Sequence, residues 1–163
     1  QLLVVVGFVY LLVLHGLQGM LPTVLEARGV APDAAAETTT LLVVAQVAGV
    51  LAIPALADYT NRRRGVLVGS VALCTLGVTA LTVGGAVLLP VALVGLGLGG
   101  ISPLVRALPA APRLVFAVGE VGGFLGPFAI GALGDLTGSF APGLALLALG
   151  TLTALAAGSA LEF

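Results

Sequence analysis

The chain has 163 residues, 60% of them hydrophobic and 8% charged, with six arginines, no lysine and a formal net charge of −1. A mean hydropathy of +1.24 excludes a water-soluble domain and gives an all-α membrane protein whose first partner is the lipid bilayer. The near-neutral charge and the lack of a basic face leave no nucleic-acid partner.

A spanning helix needs roughly 20 mostly apolar residues across a hydrocarbon core about 30 Å thick. This length therefore holds six transmembrane helices and no soluble domain, so residues 1–163 form one transmembrane unit. The chain opens at Gln1 rather than Met and enters a span at once, which reads as an excerpt, a processed chain or an engineered product. The first span is predicted over about Leu2 to Met20, ending near Pro22. It has no positive flank and no Ala-x-Ala site, so it is a span and not a signal peptide. A polar loop with Glu26, Arg28, Asp33 and Glu37 follows. Thr38 to Thr40 open the second span, which continues to about Ala57. Asp58 to Gly65, with Arg62, Arg63 and Arg64, is the most polar stretch of the chain. The third span covers about Val66 to Val83, Gly84-Gly85 make a turn, and the fourth runs over about Val87 to Val105. Arg106 to Arg113, with Pro109 and Pro112, form the next loop. The fifth span covers about Leu114 to Leu133, Gly134 to Ser139 turn, and the sixth takes about Pro142 to Ala160.

Six spans put both termini and the second and fourth loops on one side of the membrane. Those two loops hold five of the six arginines, and the positive-inside rule makes that side cytoplasmic. The chain also resembles itself. Gln46-Val47-Ala48-Gly49-Val50-Leu51-Ala52 reads like Glu120-Val121-Gly122-Gly123-Phe124-Leu125-Gly126, and Ala55 to Thr60 reads like Ala132 to Thr137. Both matches fall at the second helix of a triplet, which points to a 3+3 inverted repeat over about residues 1–84 and 85–163.

Asp58, Arg62 and Arg63 match part of the Gly-x-x-x-Asp-Arg-x-Gly-Arg-Arg loop of the major facilitator superfamily, while Pro54, Tyr59 and Asn61 depart from it. Gly122-Gly123-Phe124-Leu125-Gly126-Pro127 with Asp135 to Ser139 resembles helix eleven and the following loop of organic-anion and cyanate- or nitrate-type members. Leu21-Pro22-Thr23 before Arg28-Gly29-Val30 resembles the first outer loop of the same half. Over its whole length the chain thus resembles one six-helix half, most like the C-terminal half, of a major facilitator transporter. The resemblance implies a half-bundle in a bacterial inner (plasma) membrane that moves a small solute by alternating access, ion- or proton-coupled. It implies a small organic or inorganic anion or a drug-like solute, although no arginine lies deep in a span. A second six-helix half, either another copy or a missing N-terminal half, would complete it.

Four side chains are candidates for substrate or proton coupling. Glu120 is the acid well inside a span, where an ionisable group costs roughly 2.5–3.5 kcal/mol on insertion scales; it either faces substrate or pairs with Arg106 or Arg113. Gln46 is its repeat equivalent and either binds substrate or bridges helices. His15, with Gln18 one turn on, relays protons or satisfies a neighbouring helix. Asp58, Arg62, Arg63, Gly123, Gly126 and Pro127 are candidates for gating. Gly126-Pro127 interrupts the hydrogen-bond ladder of its helix, and Gly95/Gly99, Gly119/Gly123 and Gly122/Gly126 make small-xxx-small faces. One histidine and one cysteine, Cys74, leave no metal site, cofactor or nucleophile–base pair, so the chain is not read as an enzyme. The alternative is a non-transporting assembly module that binds partner helices through its glycine faces.

Overall fold

The computed structural model describes residues 2–107 and 112–160 and is a bundle of six helices. They are α1 (Leu2–Ala27), α2 (Pro32–Thr60), α3 (Arg63–Val83), α4 (Leu88–Arg106), α5 (Pro112–Thr137) and α6 (Ala141–Ser159). All six are long and apolar enough to cross a membrane.

α4 and α6 have the expected lengths within one residue at each end, while α1, α2, α3 and α5 run longer than the sequence signals suggested. α1 continues through Pro22 to Ala27, because a spanning proline forfeits one backbone bond that neighbouring helices tolerate. Thr38, Thr39 and Thr40 do not open α2; their hydroxyls donate back to the carbonyls of Ala34, Ala35 and Ala36 inside it. The helix starts instead at Pro32, where the missing N–H costs nothing, and Asp33 sits in the first turn against the positive helix end. Asp58 lies within α2, not beyond it; Asn61 stops that helix in the left-handed conformation with φ 52°. Arg63 and Arg64 are the first residues of α3. Gly134 and Asp135 belong to α5, whose stop is Gly138 at φ 69°. Gly84 and Gly85 both adopt positive φ, as the predicted turn requires. Of the predicted loop from Arg106 to Arg113, residues 108–111 lie outside the described residues.

The helices do not mix equally. α1 packs most extensively along α5, and α2 along α4; α3 fills in behind α4 and α6, and α6 closes against α1. Glycine makes the two main seams possible. A side chain at Gly126 would strike the Leu12 carbonyl and the Gly16 backbone, and one at Gly122 would strike the Phe8 carbonyl. In the other seam Gly99 lies against Gln46 and Gly49, and Gly95 against Leu42 and Ala45. Gly97 and Gly77 serve the α3–α4 contact, against Ser70 and Cys74 and against Pro90 and Val94. Between helices in lipid there is no hydrophobic drive, so close backbone approach and the dispersion it allows take its place.

α1 and α4 are the most enclosed spans, and α2 and α5 the least. α1 turns Val6, Val9, Val13 and Leu17 inward, where the first three meet Val71 and Cys74 of α3, Leu98 of α4 and Ala154 of α6. At 100° per residue, His15 and Gln18 fall on the opposite side of the helix. Arginines tie the two ends. Arg28 donates to the Leu81 carbonyl near the end of α3 at 2.8 Å, and Arg64 donates to the Ser159 carbonyl at the end of α6. Both put a cation on the negative end of a helix.

Two substitutions test the seams. Gly126→Val should cost about 1–3 kcal/mol or more, because neither backbone can retreat. Gly69→Ala, in open space on α3, should stabilise by about 0.5–1 kcal/mol. Thermal denaturation in detergent reads both, and an unchanged melt for Gly126→Val would contradict the packing.

Candidate functional site

The side of α1 turned away from the core carries the polar groups of the spans. His15 and Gln18 lie there, and α5 runs beside it with Glu120, Gly123, Phe124, Pro127 and Phe128. Together with Gly19 these residues line a wide-open cleft with about 700 Å³ of space over it. Along their helices, His15 is at the centre of α1, Gln46 at the centre of α2, and Glu120 within about 7 Å of the centre of α5 at 1.5 Å per residue.

Each polar group has a distinct partner set. Gln18 Nε2 donates to Gln46 Oε1 at 3.0 Å, joining α1 to α2. Of the two roles open to Gln46, this structure has it bridging helices. His15 packs against α5 at Gly123, and it is this ring that a side chain at Gly123 would strike. Its Nδ1 is buried with no hydrogen-bond partner among the described residues. A buried unsatisfied nitrogen costs about 1–3 kcal/mol, so this ring gains from any polar group that reaches it. Glu120 is exposed on α5 and forms no ion pair among the described residues. Arg106 is engaged elsewhere, its guanidinium 4.9 Å from the centre of the Phe116 ring. Arg113 sits on the Glu120 side of α5 but two turns nearer the helix start, about 10 Å along the axis.

The two prolines add acceptors. Pro127 has no N–H for the carbonyl of Gly123, and Pro22 has none for the carbonyl of Gln18. Both carbonyls belong to residues that line the cleft. Phe124 and Phe128 stack with ring centroids 6.2 Å apart and 11° between planes, and are 72% and 61% exposed.

Thus His15, Gln18, Glu120, Gly123 and Pro127 are gathered in one place, with Gln46 attached through Gln18. The other candidates lie elsewhere. Gly126 is in the α1–α5 seam. Asp58 and Arg63 form an ion pair of 3.1 Å at the loop between α2 and α3, with both side chains more than half exposed, where such a pair is worth about 0–1 kcal/mol. Arg62 begins the same loop-to-helix junction. Phe128 was missed from sequence; it extends the ladder Glu120, Phe124, Phe128 at spacings of four, a signal present in the residues themselves. No protein-family model and no curated protein matches the chain.

The Gln18–Gln46 bond can be measured directly. A double-mutant cycle of Gln18→Leu and Gln46→Leu, read by thermal denaturation, should give a coupling of about 0.6 kcal/mol and at most about 1.7. The double change should destabilise by less than the sum of the two single changes; zero coupling would remove the bridge.

Proposed function

We propose that the chain is one six-helix half of an alternating-access secondary transporter of the major facilitator type. Its solute binds in the cleft between α1 and α5. The observation that carries the reading is the carboxylate of Glu120, exposed and without an ion pair among the described residues, which shares with His15 and Gln18 a cleft facing away from the α3/α6 side. Intramembrane ionisable groups without internal partners are costly, and a solute or proton pathway is the usual reason for keeping them. Glu120 is then the coupling carboxylate, taking up a proton or a charged solute. His15 and Gln18 are the second wall of the site.

The packing supports the 3+3 inverted repeat. Exchanging α1–α3 for α4–α6 turns the α1/α5 seam into the α4/α2 seam, the two main contacts of the bundle. Opposite orientation of the triplets follows from their odd number of spans. Both termini then lie on the arginine-rich cytoplasmic side of a bacterial inner membrane. The exposed side of α2 and α5, with Val47, Val50, Leu51, Val121 and Phe124, is the face that meets a second six-helix unit, as a homodimer or with a missing N-terminal half. The rocking motion runs between the two units, and Asp58–Arg63 sits at the inner end where such a motion opens or closes. Use of the glycine faces for outside partners is disfavoured, because the seams of α1, α2, α4 and α5 consume them.

The test is flux in proteoliposomes carrying an internal pH indicator, with native mass spectrometry to report pairing. Some class of small solute should drive a pH change with the wild-type chain, and Glu120→Gln should abolish most of it while folding normally. A folded, paired chain that moves no anionic, cationic or neutral solute would sink the reading.

A further inference from the structure

The charged and aromatic side chains of the cleft wall are electron-rich. Glu120 contributes a carboxylate without an ion pair among the described residues. Phe124 and Phe128 contribute exposed ring faces, whose quadrupole is negative. One of the two amide N–H groups of Gln18 is given to Gln46, and no arginine lines the cleft among the described residues. An anion would meet no arginine here and would face the Glu120 carboxylate. A small metal ion would leave most of the roughly 700 Å³ empty and would gain nothing from two phenyl rings.

We infer that the cleft takes an organic cation: a protonated amine or quaternary ammonium compound with an aromatic or branched alkyl body. The charge sits against Glu120, and the body lies on Phe124 and Phe128. This rests on the transporter reading only for movement across the membrane; binding follows from the cleft alone. The resemblance to organic-anion carriers pointed to the opposite charge, and the chemistry of the wall reverses it.

Tetraphenylphosphonium and tetraphenylborate have the same shape and opposite charge, which makes them suitable probes of the purified chain in nanodiscs. Binding is read as saturable stabilisation against heat, always as the difference between wild type and variants, so that partition into lipid cancels. The phosphonium should stabilise the wild type. Glu120→Gln should weaken it by about tenfold or more, a change of about 1.4 kcal/mol. Phe124→Ala and Phe128→Ala should each weaken it severalfold, and they carry the test should Glu120→Gln not fold. Asp33→Asn, which removes the same charge at the start of α2, should leave binding unchanged. Equal binding by Glu120→Gln, preference for the borate, or displacement of the phosphonium by millimolar sodium would each overturn the inference. Anion flux without phosphonium binding would overturn it while leaving transport in place. Phosphonium binding with no movement of any solute would uphold it and remove transport.

Discussion

In lipid the ordinary reason for helices to pack is missing, since acyl chains are as apolar as leucine. What remains is contact at short range, and this bundle obtains it by putting glycine on both sides of its two main crossings. Gly126 meets Gly16 where α5 crosses α1, and Gly99 meets Gly49 where α4 crosses α2. Much of the rest depends on these two approaches. They hold α1 and α4 in the middle, and they leave broad faces of α2 and α5 uncovered. They also bring α5 so near α1 that the His15 ring lies on Gly123, with no room for a side chain between them. The cleft is a by-product of that closeness on one side of α1 and its release on the other.

Polar groups obey a different constraint. With no water at depth, each must find a partner on its own helix, on a neighbour, or at an end. The hydroxyls of Thr75 and Thr151 use their own helices, donating to Val71 and Ala148. Gln18 and Gln46 use each other. Arg28 and Arg64 use the carbonyls at helix ends. Among the described residues of the spans, Glu120 has no ion pair and His15 Nδ1 has no partner, and these two residues line one cleft.

Much of this was legible in the sequence, and the failures have a common cause. Six spans followed from hydropathy alone, because runs such as Leu88 to Val105 admit no other reading. The ends were misjudged at Pro22, at Thr38 to Thr40 and at Gly134, where rules learned from helices in water treat proline, hydroxyls and glycine as breakers. In lipid the chain is better served by continuing the helix. Glu120, His15, Gln18, Gly123 and Pro127 could be named because each is an oddity within an apolar run. That they meet could not be seen, because Gly123 is more than a hundred residues from His15 and only the α1–α5 seam joins them. The bridge from Gln18 to Gln46 was hidden for the same reason. The charge preference of the cleft was harder still. It depends on which charged and aromatic side chains share one wall, and the α1–α5 seam decides that.

The central claim is that the face bearing His15, Gln18 and Glu120 is a hydrated cleft and not a lipid-covered surface. Single-cysteine labelling in the membrane tests it most directly. Cys74 is buried and is first replaced by alanine, and single cysteines are then set at Gly19, at Glu120 and at lipid-exposed Leu76 of α3. A membrane-impermeant maleimide should modify positions 19 and 120 and spare 76. Equal protection of all three positions would mean that lipid covers the cleft, and the account of this face would have to be abandoned.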